Sequence, residues 1–425
     1  MEGASPEPFS PDAEPSQVVL RRGLLAGRTF ASLRHPAYRL YFFGQMVSLV
    51  GLWMQSAAQS WLVYDLTHSK AFLGIVGIAG SLPIVLLSAW GGILADRFPK
   101  RRILMITSVI AALLALTLGL LTLTGITRPG HILVLAALLG VVSGLEMPAR
   151  QAFAAELVGR SDLANAIALN ASVFHAARIV GPALAGVLIA QVGTGWAFVG
   201  NGLSFGAILL ALARMRLVDV VPSACRSGDG GLWKGVAVVR ETPGLRALLL
   251  MMLVVGVFGW SYVVLMPALA RDGLDSGPQG YGLLMSAIGI GSVAGALTLA
   301  SLGQIRRPRA VLCGVVGGLG AALLVLSLAR VPWVAATALA PAGFSLTIFF
   351  SLTNTWLQMA VQDDVRGRVM GVYTAIFGTL IPLGALWAGM MAEWIGVQWT
   401  IAAGAVLCLL AVPVLLPGLP EAMDR

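Results

Sequence analysis

The sequence predicts an all-α polytopic membrane protein with about twelve transmembrane helices in two related six-helix halves. Of its 425 residues, 58% are hydrophobic and 11% are charged, and the mean hydropathy is +0.87. Soluble domains carry about 25% charged residues, so this chain cannot cover itself with a water-compatible surface. Apolar runs of about 20 residues recur along the chain, and each is long enough to cross the hydrocarbon of a bilayer. The runs do not alternate with polar residues, which excludes a transmembrane β-barrel.

The apolar runs place six spans in each half. The predicted spans are 39–63, 71–94, 103–124, 131–152, 164–190, 196–215, 247–269, 280–302, 310–329, 333–358, 368–392 and 398–417. The charged, Gly-rich segment between the halves is predicted to be a linker with a short surface helix near 232–241. The predicted organisation is a disordered cytoplasmic tail at 1–30, a first half at 31–215, a linker at 216–246, a second half at 247–417 and a cytoplasmic tail at 418–425.

The distribution of positive charge predicts the orientation in the membrane. Of the 28 Lys and Arg residues, 23 lie on the side of the two termini, four lie in the opposite loops, and Arg178 lies within a span. Because cytoplasmic loops are enriched in Lys and Arg, we expect both termini in the cytoplasm and the chain in the cell inner membrane. The net charge of +9 then faces an anionic leaflet and requires no nucleic-acid partner.

The two halves resemble each other in sequence. The segment GPALAGVLIAQVGTGW at 181–196 aligns with GALWAGMMAEWIGVQW at 384–399 at an offset of 203, and Gln151 aligns with Gln358 at an offset of 207. A duplication of this kind predicts a substrate cavity between the halves, near the middle of the membrane.

No feature of the sequence indicates an enzyme, a cofactor or a metal. Cys225, Cys313 and Cys408 have neither the number nor the spacing of a disulfide framework or a metal site. The hydrolase-like GLSFG at 202–206 lies in an apolar span, where the strand-turn-helix context of a nucleophile elbow is missing. No phosphate-binding loop is present, so the chain is expected to use no nucleotide and to draw its energy from an ion or substrate gradient.

The loop after the second span, GGILADRFPKRR at 91–102, combines small, acidic and basic residues. Gly91 and Gly92 allow two helices to approach closely. Asp96 can pair with an arginine and cap the N-terminus of a neighbouring helix. The basic residues around it are Arg97, Lys100, Arg101 and Arg102.

This loop closely resembles the signature loop of the major facilitator superfamily, and the resemblance extends from about residue 31 to 417. The segments at 33–69, 146–157 and 362–373 are similar to the bacterial drug- and siderophore-exporter branch, which includes proteins similar to the enterobactin exporter and to macrolide efflux proteins. The resemblance implies that the loop locks the cytoplasmic side in the outward-open state and releases it in the inward-open state. A second-half cytoplasmic motif in the same branch is represented by Asp363, Arg366, Gly367 and Arg368.

Charged residues within spans are candidates for energy coupling, because a charge in the bilayer is costly. Arg178 lies near the middle of the fifth span, His175 one turn before it, and Glu146 and Arg150 in the fourth span. One hypothesis is that Glu146 pairs with Arg150 or Arg178 and that its protonation couples to transport. The alternative is a permanent ion pair that only braces the helices. Asp65, at the end of the first span, is interpreted as a solvated helix end.

The fifth span contains Gly181, Pro182 and Gly186, which resemble the Gly-Pro motif of major facilitator antiporters. Proline removes a backbone hydrogen bond and bends the helix, and the glycines allow a partner to pack into the bend. Antiporters usually have a further glycine where Ala185 stands. The resemblance implies proton antiport.

Polar residues in central spans are candidates to line the cavity: Gln45, Gln55, Gln59, Asn354 and Gln358. The favoured function is a monomeric, proton-coupled exporter of small molecules such as drugs or siderophore-like compounds. Two alternatives remain open, a lysophospholipid or lipid translocator on the same fold and a membrane scaffold or sensor that transports nothing. The sequence does not identify the substrate.

Overall fold

The structure, a computed structural model, describes residues 31–215, 232–302, 307–361 and 363–419. The predicted tail at 1–30 and the linker residues 216–231 lie outside the described residues, as do residues 303–306, 362 and 420–425. Within the described residues, the chain forms thirteen helices of eight or more residues and no strand, which confirms the predicted fold class.

The first half consists of six long helices that follow a short 3-10 turn at Ala31–Arg34. They are α1 (Pro36–Thr67), α2 (Lys70–Arg97), α3 (Lys100–Leu123), α4 (Pro129–Gly159), α5 (Asn165–Val192) and α6 (Thr194–Arg214). The helical run from Pro129 to Val192 is divided at Gly159, where φ is 69°. Glycine has no Cβ and adopts this left-handed conformation without strain, so the chain can leave α4 and enter α5.

The second half begins after a short helix, α7 (Leu232–Glu241), which occupies the predicted position in the linker. Its long helices are α8 (Pro243–Gly273), α9 (Pro278–Leu302), α10 (Pro308–Leu328), α11 (Pro332–Ala360), α12 (Asp363–Ile395) and α13 (Val397–Leu415). From Val255 onward α8 departs from regular α geometry through alternating π and 3-10 segments.

Eleven of these helices are long and apolar enough to cross a membrane. The first helix, α1, has a sufficient length of 32 residues but is less apolar, since Gln45, Gln55 and Gln59 interrupt its hydrophobic sequence. Large apolar side chains such as Leu86, Leu203 and Leu328 lie more than 60% exposed on the outer surface. Such a surface is stable when lipid covers it, so the chain is a multi-pass membrane protein.

The halves contact each other along two helix pairs, α2–α12 and α5–α9, which we call the two seams. At the first seam, a Cβ on Gly389 would lie 2.7 Å from the carbonyl oxygen of Lys70. At the second seam, a Cβ on Gly186 would lie 2.8 Å from Cα of Gly282. Small residues therefore permit contact between backbones at both seams. Gly186 and Gly389 are also equivalent positions in the repeat, at the offset of 203.

Candidate functional site

One end of the bundle, which we call the Asp272 end, is held together by polar contacts between the two halves. Arg271 of α8 donates a hydrogen bond to the carboxylate of Asp65 at the end of α1, and the hydroxyl of Tyr64 donates to Asp272. Lys70 Nζ lies 3.7 Å from Asp272 Oδ2. The interpretation of Asp65 as a solvated helix end is therefore incomplete, because this exposed carboxylate pairs with the other half of the chain.

Glu393 of α12 adds a second type of contact at the Asp272 end. Its Oε2 accepts hydrogen bonds from the backbone N–H groups of Lys70 at 2.8 Å and Ala71 at 3.1 Å. These are the first N–H groups of α2, which have no partner within their own helix. A carboxylate at a helix N-terminus also interacts favourably with the helix dipole, so Glu393 fastens the second half to the first.

At the opposite end, which we call the Asp96 end, the described residues form no ion pair of this kind between the halves. Among residues 31–215, 232–302, 307–361 and 363–419, no ion pair joins the two halves there. The pairs at this end, His35 with Asp162 and Lys100 with Glu156, both lie within the first half. Asp96 is exposed and makes no hydrogen bond or ion pair with a described residue. Among the described residues, polar side-chain contacts thus join the halves at the Asp272 end, and no ion pair joins them at the Asp96 end.

The glycines of the signature loop have unequal roles. A Cβ on Gly91 would lie 2.6 Å from the carbonyl oxygen of Gly144 in α4, whereas a Cβ on Gly92 would meet no atom within 4 Å. Close approach of α2 and α4 therefore depends on Gly91, and the expectation for Gly92 was wrong. Arg101 donates to the carbonyl oxygen of Ala213 at 3.1 Å, near the C-terminus of α6, where a cation is favourable.

Glu146 and Arg150 form an ion pair within α4, one helical turn apart. This settles the choice of partner left open by the sequence, since Glu146 pairs with Arg150 and not with Arg178. The side chain of Glu146 is only 8% exposed, and that of Arg150 is 25% exposed. Removing one member of a buried pair leaves an uncompensated charge and costs several kcal/mol.

Arg178 lies in α5 with its guanidinium carbon 5.7 Å from the centre of the Trp53 ring. No carboxylate pairs with it among the described residues, so the contact with the ring is its main electrostatic interaction there. Gly181, one turn further along, allows α1 to pack into the bend before Pro182, because a Cβ would lie 2.6 Å from Cβ of Trp53. The side chain of His175 is not described.

A cavity of about 690 Å³ opens within the first half. Its walls come from α1 to α6, and they include Gln45, Ser143, Glu146 and Arg150. Of the polar cavity candidates, Gln45 is the one that reaches this space. The sequence predicts a substrate cavity between the halves. The cavity described here is lined by the first half alone, so the predicted one stays a prediction.

The other cavity candidates make different contacts. Gln55 is buried and accepts a hydrogen bond from Asn201 Nδ2 at 2.6 Å, which ties α1 to α6. Gln59 is half-buried, and Gln358 is exposed and donates to Asn354 within α11. The side chains of Asp363 and Arg366 and the surroundings of Gly367 lie outside the described set. The backbone of the remaining motif residue, Arg368, packs closely against Gly235 of α7.

Sequence reasoning missed the residues that close the Asp272 end, above all Asp272 and Glu393. Their signal was present, since acidic residues next to apolar spans are uncommon in this chain, which has 19 Asp and Glu in 425 residues. Pairing each one with a helix N-terminus or an arginine on the other half would have required knowledge of the helix arrangement.

Comparisons with known proteins agree with this architecture. Residues 27–423 match the family described as transmembrane secretion effector. The chain is 29% identical to the multidrug efflux pump Tap of Mycolicibacterium fortuitum, over 90% of this chain and 96% of that protein. It is 28% identical to the enterobactin exporter EntS of Shigella flexneri, over 90% of this chain and 92% of that protein.

The fold is shared with solved transporters. The crystal structure of the nucleoside transporter NupG aligns with a TM-score of 0.69 at 12% identity, covering 90% of this chain and 98% of that one. The names of these proteins describe transporters and not enzymes. The signature loop, the two six-helix halves and the match over nearly the whole chain lead to one conclusion: the protein belongs to the transmembrane secretion effector family, in the drug- and siderophore-exporter branch of the major facilitator superfamily.

Proposed function

We propose that this chain exports small molecules, either drugs or siderophore-like compounds, across the bacterial cytoplasmic membrane by alternating access. The relatives named above include a multidrug efflux pump and an enterobactin exporter, which supports export and leaves both substrate classes open. The 23 Lys and Arg residues on the side of the Asp96 loop support a cytoplasmic position for the Asp96 end and for both termini.

This proposal rests on a difference between the two ends in the polar contacts that join the halves. Six polar contacts among the described residues join the halves at the Asp272 end, and Asp96 makes none with a described residue at the other. With the Asp96 end in the cytoplasm, we take this arrangement to represent a state that opens inward and takes substrate from inside. Export then requires the Asp272 contacts to break while Asp96 and its basic loop engage the second half. The equilibrium shifts between two such states by differential contacts.

Proton antiport is the proposed energy source, with Glu146 as the proton acceptor. A proton on its carboxylate would cancel the charge that holds Arg150, and the cost of a buried unpaired arginine would drive a rearrangement. Protonation would in this way be coupled to a change in α4, which packs against α2 at Gly91. The transporter acts as a monomer, and it uses neither nucleotide nor nucleic acid.

The test is accumulation of a panel of dyes, antibiotics and catecholate siderophores in cells that lack their own efflux pumps. Cells with the wild-type chain should accumulate less of at least one compound. The difference should disappear when the proton gradient is collapsed, and it should fall at least about tenfold in Asp96→Asn, because the loop could no longer stabilise the outward-open state.

The matched control is Glu241→Gln, which removes an exposed carboxylate of α7 outside both the loop and the seams. It should export as the wild type does, at equal membrane levels. Unchanged accumulation of every compound would contradict the exporter proposal and favour the lipid translocator. If Asp96→Asn still exports, the switching role of the loop is contradicted, and the exporter proposal stands.

A further inference from the structure

A further cavity, which we call the Asp275 pocket, lies between the halves at the Asp272 end, where α1 and α8 end and α6 and α9 begin. Its volume is about 500 Å³, which lies in the range of small-molecule sites. Both halves contribute to its walls. The lining residues that matter here are Trp61, Asp65 and Thr194 from the first half and Arg271, Asp275 and Gly277 from the second.

The described residues give the wall of the Asp275 pocket an excess negative charge. Asp65 and Arg271 line the pocket and form an ion pair, so their charges cancel. Asp275 makes no hydrogen bond or ion pair with any residue that the structure describes. The side chains of Asp65 and Asp275 are exposed, so a molecule in the pocket can reach both carboxylates. One uncompensated carboxylate favours a ligand with one positive charge.

The backbone on both sides of Asp275 is fixed by hydrogen bonds to the end of α8. The N–H and the hydroxyl of Ser276 both donate to the carbonyl oxygen of Ala270, at 2.8 and 2.9 Å. The N–H of Leu274 donates to the carbonyl oxygen of Leu269 at 3.0 Å. The turn that carries Asp275 is therefore ordered before a ligand arrives, and binding is stronger when it requires less ordering.

The pocket is better suited to an organic cation than to a metal ion. A metal ion needs several ligands close together, and the described part of the chain has no group of three or more His, Cys, Asp and Glu side chains that could hold one. Trp61 lines the pocket, and an aromatic ring attracts an ammonium group through a cation–π interaction. The hydroxyl of Thr194, also in the wall, can accept a hydrogen bond from such a group.

We propose that the Asp275 pocket binds the primary ammonium group of a small organic cation and that this binding keeps the Asp272 end closed. The two walls belong to different halves, so a ligand that contacts both is held only while the halves meet at this end. Such a ligand stabilises that state to a degree that rises with its concentration. The effect on transport rests on the proposed function: an amine outside the cell slows export, because the Asp272 contacts break less often.

The test measures how fast a membrane-impermeant thiol reagent labels Thr194→Cys in the full chain, with the native cysteines replaced by serine. Residue 194 lines the pocket, so an occupant should protect this cysteine. The chain is placed in phosphatidylglycerol nanodiscs, which contain no amine. Three probes share one phenol framework and differ in charge: tyramine is a cation, tyrosol is neutral and 4-hydroxyphenylacetate is an anion. Magnesium chloride serves as the inorganic cation.

Two variants change the pocket, and each has a matched control. Asp275→Asn removes the uncompensated charge, and Glu241→Gln removes an exposed carboxylate outside the pocket. Gly277→Phe places a ring at the pocket wall, where a Cβ meets no atom within 4 Å. Its control is Gly130→Phe, because Gly130 is an exposed glycine at the same end, outside the pocket and with the same free space. Protection is the ratio of the labelling rates without and with the probe, so changes in the rate without the probe cancel.

Tyramine should slow the labelling saturably, at concentrations where tyrosol, 4-hydroxyphenylacetate and magnesium chloride have no effect. Asp275→Asn should raise the half-protecting concentration of tyramine about fivefold, the effect of one exposed charge pair. Gly277→Phe should raise it at least about tenfold, because the ring occupies the space of the ligand. Glu241→Gln and Gly130→Phe should be protected as the wild type is.

A second arm identifies the source of the ammonium group. Half of the phosphatidylglycerol is replaced by phosphatidylethanolamine, whose headgroup carries a primary ammonium. A lower labelling rate that Asp275→Asn restores would identify the lipid headgroup as the ligand. An unchanged rate would identify a dissolved amine.

Equal protection by tyrosol or magnesium chloride would overturn the inference, as would wild-type protection in both Asp275→Asn and Gly277→Phe. In cells, external tyramine should raise the accumulation of an exported compound with the wild-type chain and not with Asp275→Asn. Protection without this effect would overturn the regulatory part and leave the site. The proposed function fails separately, since the absence of any export from cells would contradict it while the protection in nanodiscs remains.

Discussion

The first half and the second half share one helical repeat, yet their interiors at the same level are built from opposite chemistry. In the first half, α4 carries the buried pair Glu146 and Arg150. At the offset of 207, α11 carries Thr353 and Leu357, and both are completely buried. The repeat has therefore kept the helix and its packing while an ion pair occupies one copy and uncharged residues the other.

The space around these positions differs in the same way. The first-half cavity is lined by Ser143 and Asn170, whose equivalents in the second half are Phe350 and Tyr373. Phe350 packs 5.4 Å from the ring centre of Phe377, and Tyr373 lies 6.0 Å from the same ring. Aromatic rings fill in one half the volume that small polar residues leave open in the other. From this contrast we expect binding and coupling to depend on the first half and rigidity on the second.

The seams show a third asymmetry, in which the second half and not the first carries the charged residue. Gly186 and Gly389 are equivalent and both permit close backbone contact. Four residues further on, α12 has Glu393, which caps α2, whereas α5 has Ala190 at the equivalent position. The second half thus supplies the carboxylate that closes the Asp272 end. One half provides the internal chemistry, and the other provides this part of the latch.

The largest expected effect comes from placing second-half residues into the first half. Glu146→Thr alone should lower the free energy of unfolding by about 4 kcal/mol, because Arg150 would remain charged and unpaired in the interior. Glu146→Thr combined with Arg150→Leu should recover most of this loss, since no buried charge remains. Chemical denaturation in detergent measures both values.

The control for this exchange is Glu156→Thr, which breaks the pair with Lys100 and removes a carboxylate that is 38% exposed. Exposed pairs contribute little, so the loss should stay below about 1 kcal/mol. Equal losses in the free energy of unfolding for Glu146→Thr and Glu156→Thr would show that burial of Glu146 does not make its pair more important for stability.

A smaller effect is expected from the reverse exchange in the second half. Phe350→Ser should cost about 3 kcal/mol, because it leaves a cavity where an aromatic ring packed against Trp260 and Phe377. Ser143→Phe should cost less, since the ring enters existing space, but it should abolish export. A Phe350→Ser variant with the wild-type free energy of unfolding would contradict the view that aromatic packing makes the second half rigid.

Removal of the latch carboxylate should have an effect of about 1 kcal/mol. Glu393→Ala removes the acceptor for two N–H groups of α2 and should raise the population open at the Asp272 end about fivefold. A membrane-impermeant thiol reagent should then label Thr194→Cys faster, in a chain whose native cysteines are replaced by serine. Gly130→Phe, an exposed change at the same end, is the control and should leave the labelling rate unchanged.

The smallest effect is expected at Thr353, the second-half equivalent of Glu146. Its hydroxyl is buried and has no partner in the described part of the chain. Thr353→Val should therefore change the free energy of unfolding by less than about 1 kcal/mol, and we expect a small increase. Export should be unchanged, and a loss of export would show that the second half also takes part in coupling.

The sequence alone predicted the helices and the family, because both depend on local patterns. Apolar length located the twelve long helices to within a few residues at most ends, and the loop at 91–102 carried the superfamily resemblance. The partner of Glu146 was narrowed to two choices, since a residue four positions away on one helix is always near.

Contacts between distant segments could not be predicted in this way. Asp65 and Arg271 are 206 residues apart, and no local pattern relates them. The role of Gly91 over Gly92 depends on which side of α2 faces α4, which a pair of adjacent glycines does not reveal. The pocket inside the first half required side-chain packing from six helices, so the sequence identified Gln45 as polar without showing what it faces.

The central claim is that the Glu146 and Arg150 pair of the first half couples protons to export, and reconstitution in proteoliposomes tests it most directly. An imposed proton gradient should drive the wild-type chain to accumulate chloramphenicol against its own gradient. The variant with Glu146→Thr and Arg150→Leu should only equilibrate the compound, at a rate close to the wild-type rate without a gradient. Accumulation by this variant to the wild-type level would contradict the account and reduce the pair to a brace between helices.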